Sequence, residues 1–458
     1  MKERIINYFV RLSKRGKFRT EQYIVMAFAA LILAGALLLT LPFASRSGES
    51  CGFLTALFTA TSATCVTGLV VVDTYLQWTG FGQVVILCLI QIGGLGIMTV
   101  VSVFFFLLHR KIGLQQRLIM AQGFGLNAVD GVVKLVQNVL RGTFLIELTG
   151  AVILALRFMH QFPFWQSLKL GVFHAVSAFC NAGFDILGFI QPGGNLIPYA
   201  TDPVINLVIM SLIVLGGLGF YVWIDVVRKK RFRNFSVHTK LVLVITACLI
   251  VGGAALVALF EWNNPATLGN MATGDKIMAS FFQSVTCRTA GFMTVDQAAL
   301  TESSKAVSII LMLIGGSSGS TAGGIKTVTI GVLILSVLAS ARGKSRVTVF
   351  GRTISGEQIR QATTITCLML FLAVGGAIFM ASSHGMHFLE CLFETSSALG
   401  TVGLSANLTP LLGSAARVLL IIFMFFGRVG IVTFSIGFLM GSQVNERFHY
   451  AETKVLIG

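Results

Sequence analysis

A short pattern that opens on Phe and carries Gly at its eleventh place recurs four times along the chain. Residues 58–69 read Phe-Thr-Ala-Thr-Ser-Ala-Thr-Cys-Val-Thr-Gly-Leu, and 173–184 read Phe-His-Ala-Val-Ser-Ala-Phe-Cys-Asn-Ala-Gly-Phe. Residues 281–292 read Phe-Phe-Gln-Ser-Val-Thr-Cys-Arg-Thr-Ala-Gly-Phe, and 393–404 read Phe-Glu-Thr-Ser-Ser-Ala-Leu-Gly-Thr-Val-Gly-Leu. The glycines Gly68, Gly183, Gly291 and Gly403 stand 115, 108 and 112 residues apart. A period held over a whole chain signals a repeat architecture. Each unit here is long enough for two membrane spans.

Composition agrees with that setting. Of 458 residues, 55% are hydrophobic and 11% charged, about half the charge of a soluble chain. The net charge of +16 could suit nucleic acid, but no aromatic-basic motif for it is present. Cytoplasmic loops of membrane proteins collect Lys and Arg, so a bilayer is the expected partner and nucleic acid is not. The eight cysteines stand singly, without Cys-x-x-Cys, which indicates neither a zinc site nor a disulfide framework. The first apolar run, 23–41, is too long for a signal-peptide core and reads as a retained span.

In chain order, a basic arm (Lys2, Arg4, Arg11, Lys14, Arg15, Lys17, Arg19) precedes a span over about 23–43. Residues 53–63 are apolar but about half the length that crosses a bilayer, and so read as a re-entrant half-helix. After the Thr/Gly stretch 64–68, a return span over about 82–108 reaches His109, Arg110 and Lys111. The order recurs as 140–159, 165–179 and 203–227; as 240–260, 276–285 and 306–338; and as 361–382, 387–398 and 415–440. Residues 115–135 are less apolar and read as an interfacial helical connection. Inner loops hold Arg228, Lys229, Lys230, Arg231, Arg233, Arg342, Lys344 and Arg346, whereas outer loops are mixed, with Asp73, Asp185, Asp202, Glu261, Asp296 and Glu302. This bias places both termini in the cytoplasm and the chain, multi-pass, in the plasma or inner membrane.

The expected fold class is an all-α membrane protein. It has four span–pore-helix–span units, with eight transmembrane helices and four re-entrant pore helices, around a single central pore. Expected boundaries are a cytoplasmic arm 1–20, repeat 1 at 21–111, repeat 2 with its preceding linker at 112–233, repeat 3 at 234–346, repeat 4 at 347–441 and a cytoplasmic tail 442–458.

Backbone that leaves helical form inside a bilayer must be satisfied by protein or water. Four such stretches about one axis would aim carbonyls at a common centre, where they can replace a cation's hydration shell. Gly suits the position because it reaches backbone conformations closed to other residues. The inward-pointing C-terminal ends of the half-helices add partial negative charge. The expected filter residues are Thr64-Cys65-Val66-Thr67-Gly68, Phe179-Cys180-Asn181-Ala182-Gly183, Cys287-Arg288-Thr289-Ala290-Gly291 and Leu399-Gly400-Thr401-Val402-Gly403. The plainer alternative is that these small residues only let helices approach closely.

With its four filter glycines, its Arg-Thr-Ala-Gly-Phe at 288–292 and its Gly/Ser-rich break at 315–324, the chain resembles the Ktr/Trk/HKT superfamily of potassium transporters, in its KtrB-type membrane-subunit branch. The resemblance covers about 21–441. Trk-type relatives usually carry two further N-terminal spans, which have no counterpart in this sequence. The resemblance implies K⁺ as the transported ion, bound near Gly68, Gly183, Gly291 and Gly403. It also implies a homodimer and control by a cytosolic nucleotide-binding ring of KtrA type, with Na⁺ as a possible activator (sodium-dependent uptake). In that superfamily, serine at the first filter glycine goes with Na⁺ conduction, and all four positions are Gly here. Without a P-loop or a Gly-x-Gly-x-x-Gly turn opening a strand-helix unit, no nucleotide is expected on this chain.

Two further features remain. The run Gly315-Gly316-Ser317-Ser318-Gly319-Ser320-Thr321-Ala322-Gly323-Gly324 interrupts an apolar stretch, and each Gly costs a helix interior about 1 kcal/mol. A non-helical loop at that depth belongs in a water-lined cavity, and the resemblance implies that it gates the pore. A helix-packing surface is the other reading. The second feature is Arg428. The segments Gly93-Gly94-Leu95-Gly96, Gly216-Gly217-Leu218-Gly219, Gly315-Gly316-Ser317-Ser318 and Gly427-Arg428-Val429-Gly430 correspond, so Arg428 stands where the others have Gly94, Gly217 and Gly316. It lies roughly 20 Å into its span at helical rise. A charge at that depth marks a pathway or a partner. It is expected to face the pore beside the 315–324 loop; the alternative is a buried pair with Glu147. Glu147 is itself ionisable within a span; Arg141 and Lys326 are its other candidate partners, and sequence does not decide among them.

No His-Glu-x-x-His motif occurs, and the Gly-x-Ser-x-Gly match at 315–319 falls in the Gly/Ser-rich break of an apolar span, so an enzyme is not expected. The expected function is K⁺ uptake by channel-like conduction. The alternative is a Na⁺- or H⁺-coupled secondary cation transporter, for which Glu147 is the clear candidate carboxylate.

Overall fold

The computed structural model describes residues 20–96, 132–344 and 346–430. The basic N-terminal arm, the inner end of the first return span, most of the 115–135 connection, the last part of the fourth return span and the C-terminal tail lie outside the described residues.

Fourteen helices of ten or more residues carry the described fold. They are α1 (Thr20–Thr40), α2 (Phe53–Cys65), α3 (Gly80–Leu95), α4 (Val132–Phe158), α5 (Phe164–Phe179), α6 (Pro203–Gly217) and α7 (Phe220–Lys229). There follow α8 (Val237–Glu261), α9 (Thr273–Thr286), α10 (Glu302–Leu313), α11 (Thr327–Ala341), α12 (Gly356–His384), α13 (Phe388–Gly400) and α14 (Ser414–Val429). A two-stranded ribbon pairs Thr348–Val349 with Arg352–Thr353. The sequence of long helix, short helix, bend, helix thus occurs four times.

Among the described residues, four helices are long and apolar enough to cross a membrane, within α1, α4, α8 and α12. Their outer faces carry bare apolar side chains, with Phe144 69% and Phe371 74% exposed. That distribution suits lipid as solvent. The short helices are the reverse: α2 buries Thr59, Thr61, Ser62 and Thr64, and α13 buries Glu394, Thr395, Ser396 and Ser397.

The return helices of units 1, 2 and 4 are not the continuous spans that hydropathy suggested, while that of unit 3 is interrupted across the Gly/Ser-rich run at 315–324 as expected. α3 stops at Leu95 and is capped by Gly96 at φ +83°. α6 stops at Gly217, and α7 leaves it at 94° after Gly219, at φ +94°. α10 ends at Leu313, with the loop before α11, and α14 is capped by Gly430 at φ +90°. A left-handed φ of this size is open to Gly and costly for other residues. Hydropathy measures only whether a stretch is apolar, so it misses a change of direction inside an apolar run.

Packing closes the four units into a ring. The return helix of each unit lies against the short helix of the next: α3 on α5, α6 on α9, α10 on α13 and α14 on α2. The core between them holds fully buried Phe58, Phe179, Phe282 and Phe393. In the third unit the buried ring belongs to Phe282 rather than to Phe281, the residue at the pattern's first place, which is 36% exposed.

Candidate functional site

Each short helix ends in the same backbone manoeuvre. Two residues before each repeating glycine the chain turns left-handed, at Val66 (φ +57°), Asn181 (+60°), Thr289 (+69°) and Thr401 (+52°). The glycines themselves follow at φ +95°, +69°, +78° and +93° for Gly68, Gly183, Gly291 and Gly403. Three of the four non-glycine residues are β-branched, for which positive φ is a genuine outlier. Strain of this kind costs about 1–3 kcal/mol per residue and persists where the surroundings over-determine it.

Hydroxyls on the short helices hold these bends. Ser62 Oγ accepts from Gly68 N at 3.1 Å and Ser397 Oγ accepts from Gly403 N at 3.0 Å. In the other two units the hydroxyl donates instead, Ser177 Oγ to Phe184 O at 2.7 Å and Thr286 Oγ1 to Phe292 O at 2.6 Å. The hydroxyl-rich composition of the repeated stretch therefore has a direct structural use.

The four glycines meet. A methyl group added to Gly68 would strike the carbonyl of Ala182, one on Gly183 would lie 2.6 Å from Ala290 O, one on Gly291 would strike Val402 O, and one on Gly403 would strike Thr67 O. The contacts run from unit 1 to 2, 2 to 3, 3 to 4 and back to 1, so the ring closes. No side chain fits at any of the four places. On one side of the ring lies a cavity of about 130 Å³ lined by all four glycines together with Asp73, Asp185 and Asn195.

The other predicted residues lie at differing places about this ring. Arg288 does not aim its guanidinium at the ring; Nη2 donates to Thr246 Oγ1 on α8 at 3.3 Å. The 315–324 loop sits at the short-helix ends. Thr321 Oγ1 donates to Phe179 O at 3.2 Å, and a methyl on Gly324 would meet Gly400 O at 3.2 Å. Its ends are drawn together, with Ile314 and Ile325 bridged and Ile325 N donating to Leu313 O at 3.1 Å. Its middle is pinned to the α6–α7 bend by Ser317 N to Gly217 O at 3.0 Å and Phe220 N to Gly319 O at 2.9 Å.

Arg428 joins the loop to the first unit. Nη1 donates to Thr321 O, and Nη2 to Gly93 O and, at 3.1 Å, to Gly94 O. The guanidinium thus spans from α14 to the loop and to the C-terminal end of α3, whose carbonyls carry partial negative charge. Glu147 is elsewhere. Its carboxylate accepts from Gln91 Nε2 at 3.1 Å on both oxygens, with Cys180 Sγ at 3.8 Å, and no ion pair with Arg428 occurs among the described residues. Lys326 turns back on the loop, Nζ donating to Ala322 O at 2.8 Å.

Sequence reasoning missed three contributors. Gln91, one of two amides in the apolar run 82–108, could have been noticed as a partner for Glu147. The carbonyls of Gly93 and Gly94 were visible only as part of the glycine alignment. Asn195 carried no signal, because it lies in the long irregular loop between α5 and α6.

The family model described as "TrkH: Cation transport protein" matches residues 13–447. The chain is 42% identical to the "Ktr system potassium uptake protein B" of Bacillus subtilis, over 94% of this chain and 96% of that one. It is 38% identical to the "Potassium/sodium uptake protein NtpJ" of Enterococcus hirae, over 97% and 98%. In fold it is similar to the crystal structure of the potassium transporter TrkH from Vibrio parahaemolyticus, with TM-score 0.71 and 17% identity over 94% of this chain and 86% of that one. The chain therefore belongs to the TrkH family of cation transport proteins.

Proposed function

We propose that this chain is the membrane-embedded subunit of a potassium-uptake system, with four span–pore-helix–span units around one pore. K⁺ passes the four-glycine ring, coordinated by backbone carbonyls of the four strained stretches in place of water. The 315–324 loop and Arg428 form the gate on the cytoplasmic side of the ring. A cytosolic nucleotide-binding partner of KtrA type moves that gate, and the subunit works as a homodimer with both termini inside. An interior-negative potential drives the cation inward by about 2.3 kcal/mol per charge per 100 mV. The observation that carries this reading is the closed contact of Gly68, Gly183, Gly291 and Gly403, each against the carbonyl preceding the next.

The test is flux of K⁺, Rb⁺ and Na⁺ in proteoliposomes, for the parent chain and for Gly68→Ser. A serine at φ +95° is strained and strikes Ala182 O. Strain of about 1–3 kcal/mol, where about 1.4 kcal/mol is tenfold, should cut K⁺ over Na⁺ discrimination about tenfold. Equal discrimination in both chains, with both folded, would remove the filter role of the ring.

A second reading, Na⁺- or H⁺-coupled transport, draws on Glu147, a buried carboxylate beside Gln91 and Cys180. It predicts K⁺ accumulation that follows an imposed Na⁺ or pH gradient at fixed potential. The same vesicles separate the two.

A further inference from the structure

The ring has one member unlike the rest. Among the described contacts, the carbonyl of Gly183 accepts a side-chain hydrogen bond, from Asn195 Nδ2 at 3.2 Å, whereas no protein donor reaches the carbonyls of Gly68, Gly291 or Gly403. Asn195 is 6% exposed and left-handed at φ +49°, a conformation that Asn tolerates better than most residues. Its other amide atom is also engaged, Oδ1 accepting from Met293 N at 3.3 Å, just past the ring glycine of unit 3. Leu196 N donates to Met293 O at 3.0 Å, so the two loops are joined at this point. The same loop is tied to unit 1, where Asp73 Oδ2 accepts from Gly193 N at 3.0 Å while Oδ1 accepts from Tyr75 N and Leu76 N at 2.8 and 2.9 Å. The long outer loop of the second unit is thereby fastened to units 1, 2 and 3 at the rim of the ring.

We propose that Asn195 is a selectivity-determining positioning residue. Its amide fixes the Gly183 carbonyl and the start of unit 3 at one spacing, and so sets the width of the ring on that side. This rests on the reading of the ring as a cation filter. A side chain that both donates and accepts is required, because one partner is a carbonyl and the other an N–H. Asp has the same shape, keeps the acceptor for Met293 N and loses the donor for Gly183 O. The freed carbonyl then faces a carboxylate and the ring relaxes.

The experiment compares parent, Asn195→Asp and Asn195→Ser for K⁺, Rb⁺ and Na⁺ uptake, with apparent KM and Vmax separated. K⁺-dependent thermal stabilisation of the detergent-solubilised protein is followed alongside. The expected result in Asn195→Asp is a loss of K⁺ over Na⁺ discrimination of about fivefold, the size of one hydrogen bond, carried by KM with Vmax and ion-free melting temperature held. Asn195→Ser, too short to reach both partners, should move the same way. Parent-like selectivity and KM in a folded Asn195→Asp overturns the proposal while the filter reading stands. A parent chain that neither conducts K⁺ selectively nor is stabilised by it overturns both. Failure of both variants to fold assigns Asn195 a purely structural role and likewise overturns it.

Discussion

At the scale of single residues, Arg428 gives the sharpest test. Its guanidinium donates to carbonyls of Thr321, Gly93 and Gly94, and the positions aligned with it in the other units are Gly94, Gly217 and Gly316. At an effective dielectric near 20, a cation about 6 Å away meets on the order of 3 kcal/mol of repulsion, and half of that is about tenfold on a barrier. Arg428→Gln keeps a donor and loses the charge, so K⁺ flux should rise about tenfold in vesicles with detergent-extracted yield unchanged. An unstable variant restored by adding Glu147→Gln would favour an ion pair, which the placement of Glu147 against Gln91 opposes. Arg428 was legible in the sequence because three aligned segments put Gly where it stands. Asn195 was not. Its partner Gly183 is 12 residues back across an irregular loop, and no periodicity encodes such a turn.

At the scale of elements, the broken return helices carry the proposed gate. Three breaks use a positive-φ glycine, at Gly96, Gly219 and Gly430, and the fourth uses the 315–324 loop. Because Ile314 and Ile325 are already bridged, the loop leaves and rejoins the fold at one point. Deleting 317–322 should therefore leave α10 and α11 in place and the protein extractable. It removes the Thr321 contact to Phe179 O and the carbonyl that receives Arg428. K⁺ flux should rise and lose its dependence on the proposed cytosolic partner. A folded deletion variant with no flux, or with flux still wholly partner-dependent, assigns the loop to packing. The short helices and the interruption in unit 3 were readable from length and Gly/Ser density. The bends in the other units were not, since Gly93–Gly96 and Gly216–Gly219 sit in apolar surroundings whose hydropathy alone suggests a straight span.

At the scale of the whole molecule, repeat spacing and charge bias indicated the four-unit order and an orientation, whereas the ring contacts needed coordinates. The orientation is testable. A cysteine at Gln191, in the long outer loop, should react with an impermeant thiol reagent in intact cells. One at Arg231, after α7, should react only once the cells are opened, each measured above the labelling of the parent chain. The reverse pattern would invert the proposed topology. The closed ring of four unequal units also has an arithmetic consequence. A pore assembled from four identical chains multiplies every substitution by four, so an arginine at the Arg428 place would bring four positive charges to one narrow passage. By Coulomb's law their repulsion on a passing cation would be about fourfold that of a single charge at the same distance, enough to exclude it. Covalent fusion of the quadrants permits a dose of one, so under the proposed function a single charge, or a single amide such as Asn195, adjusts the passage without closing it.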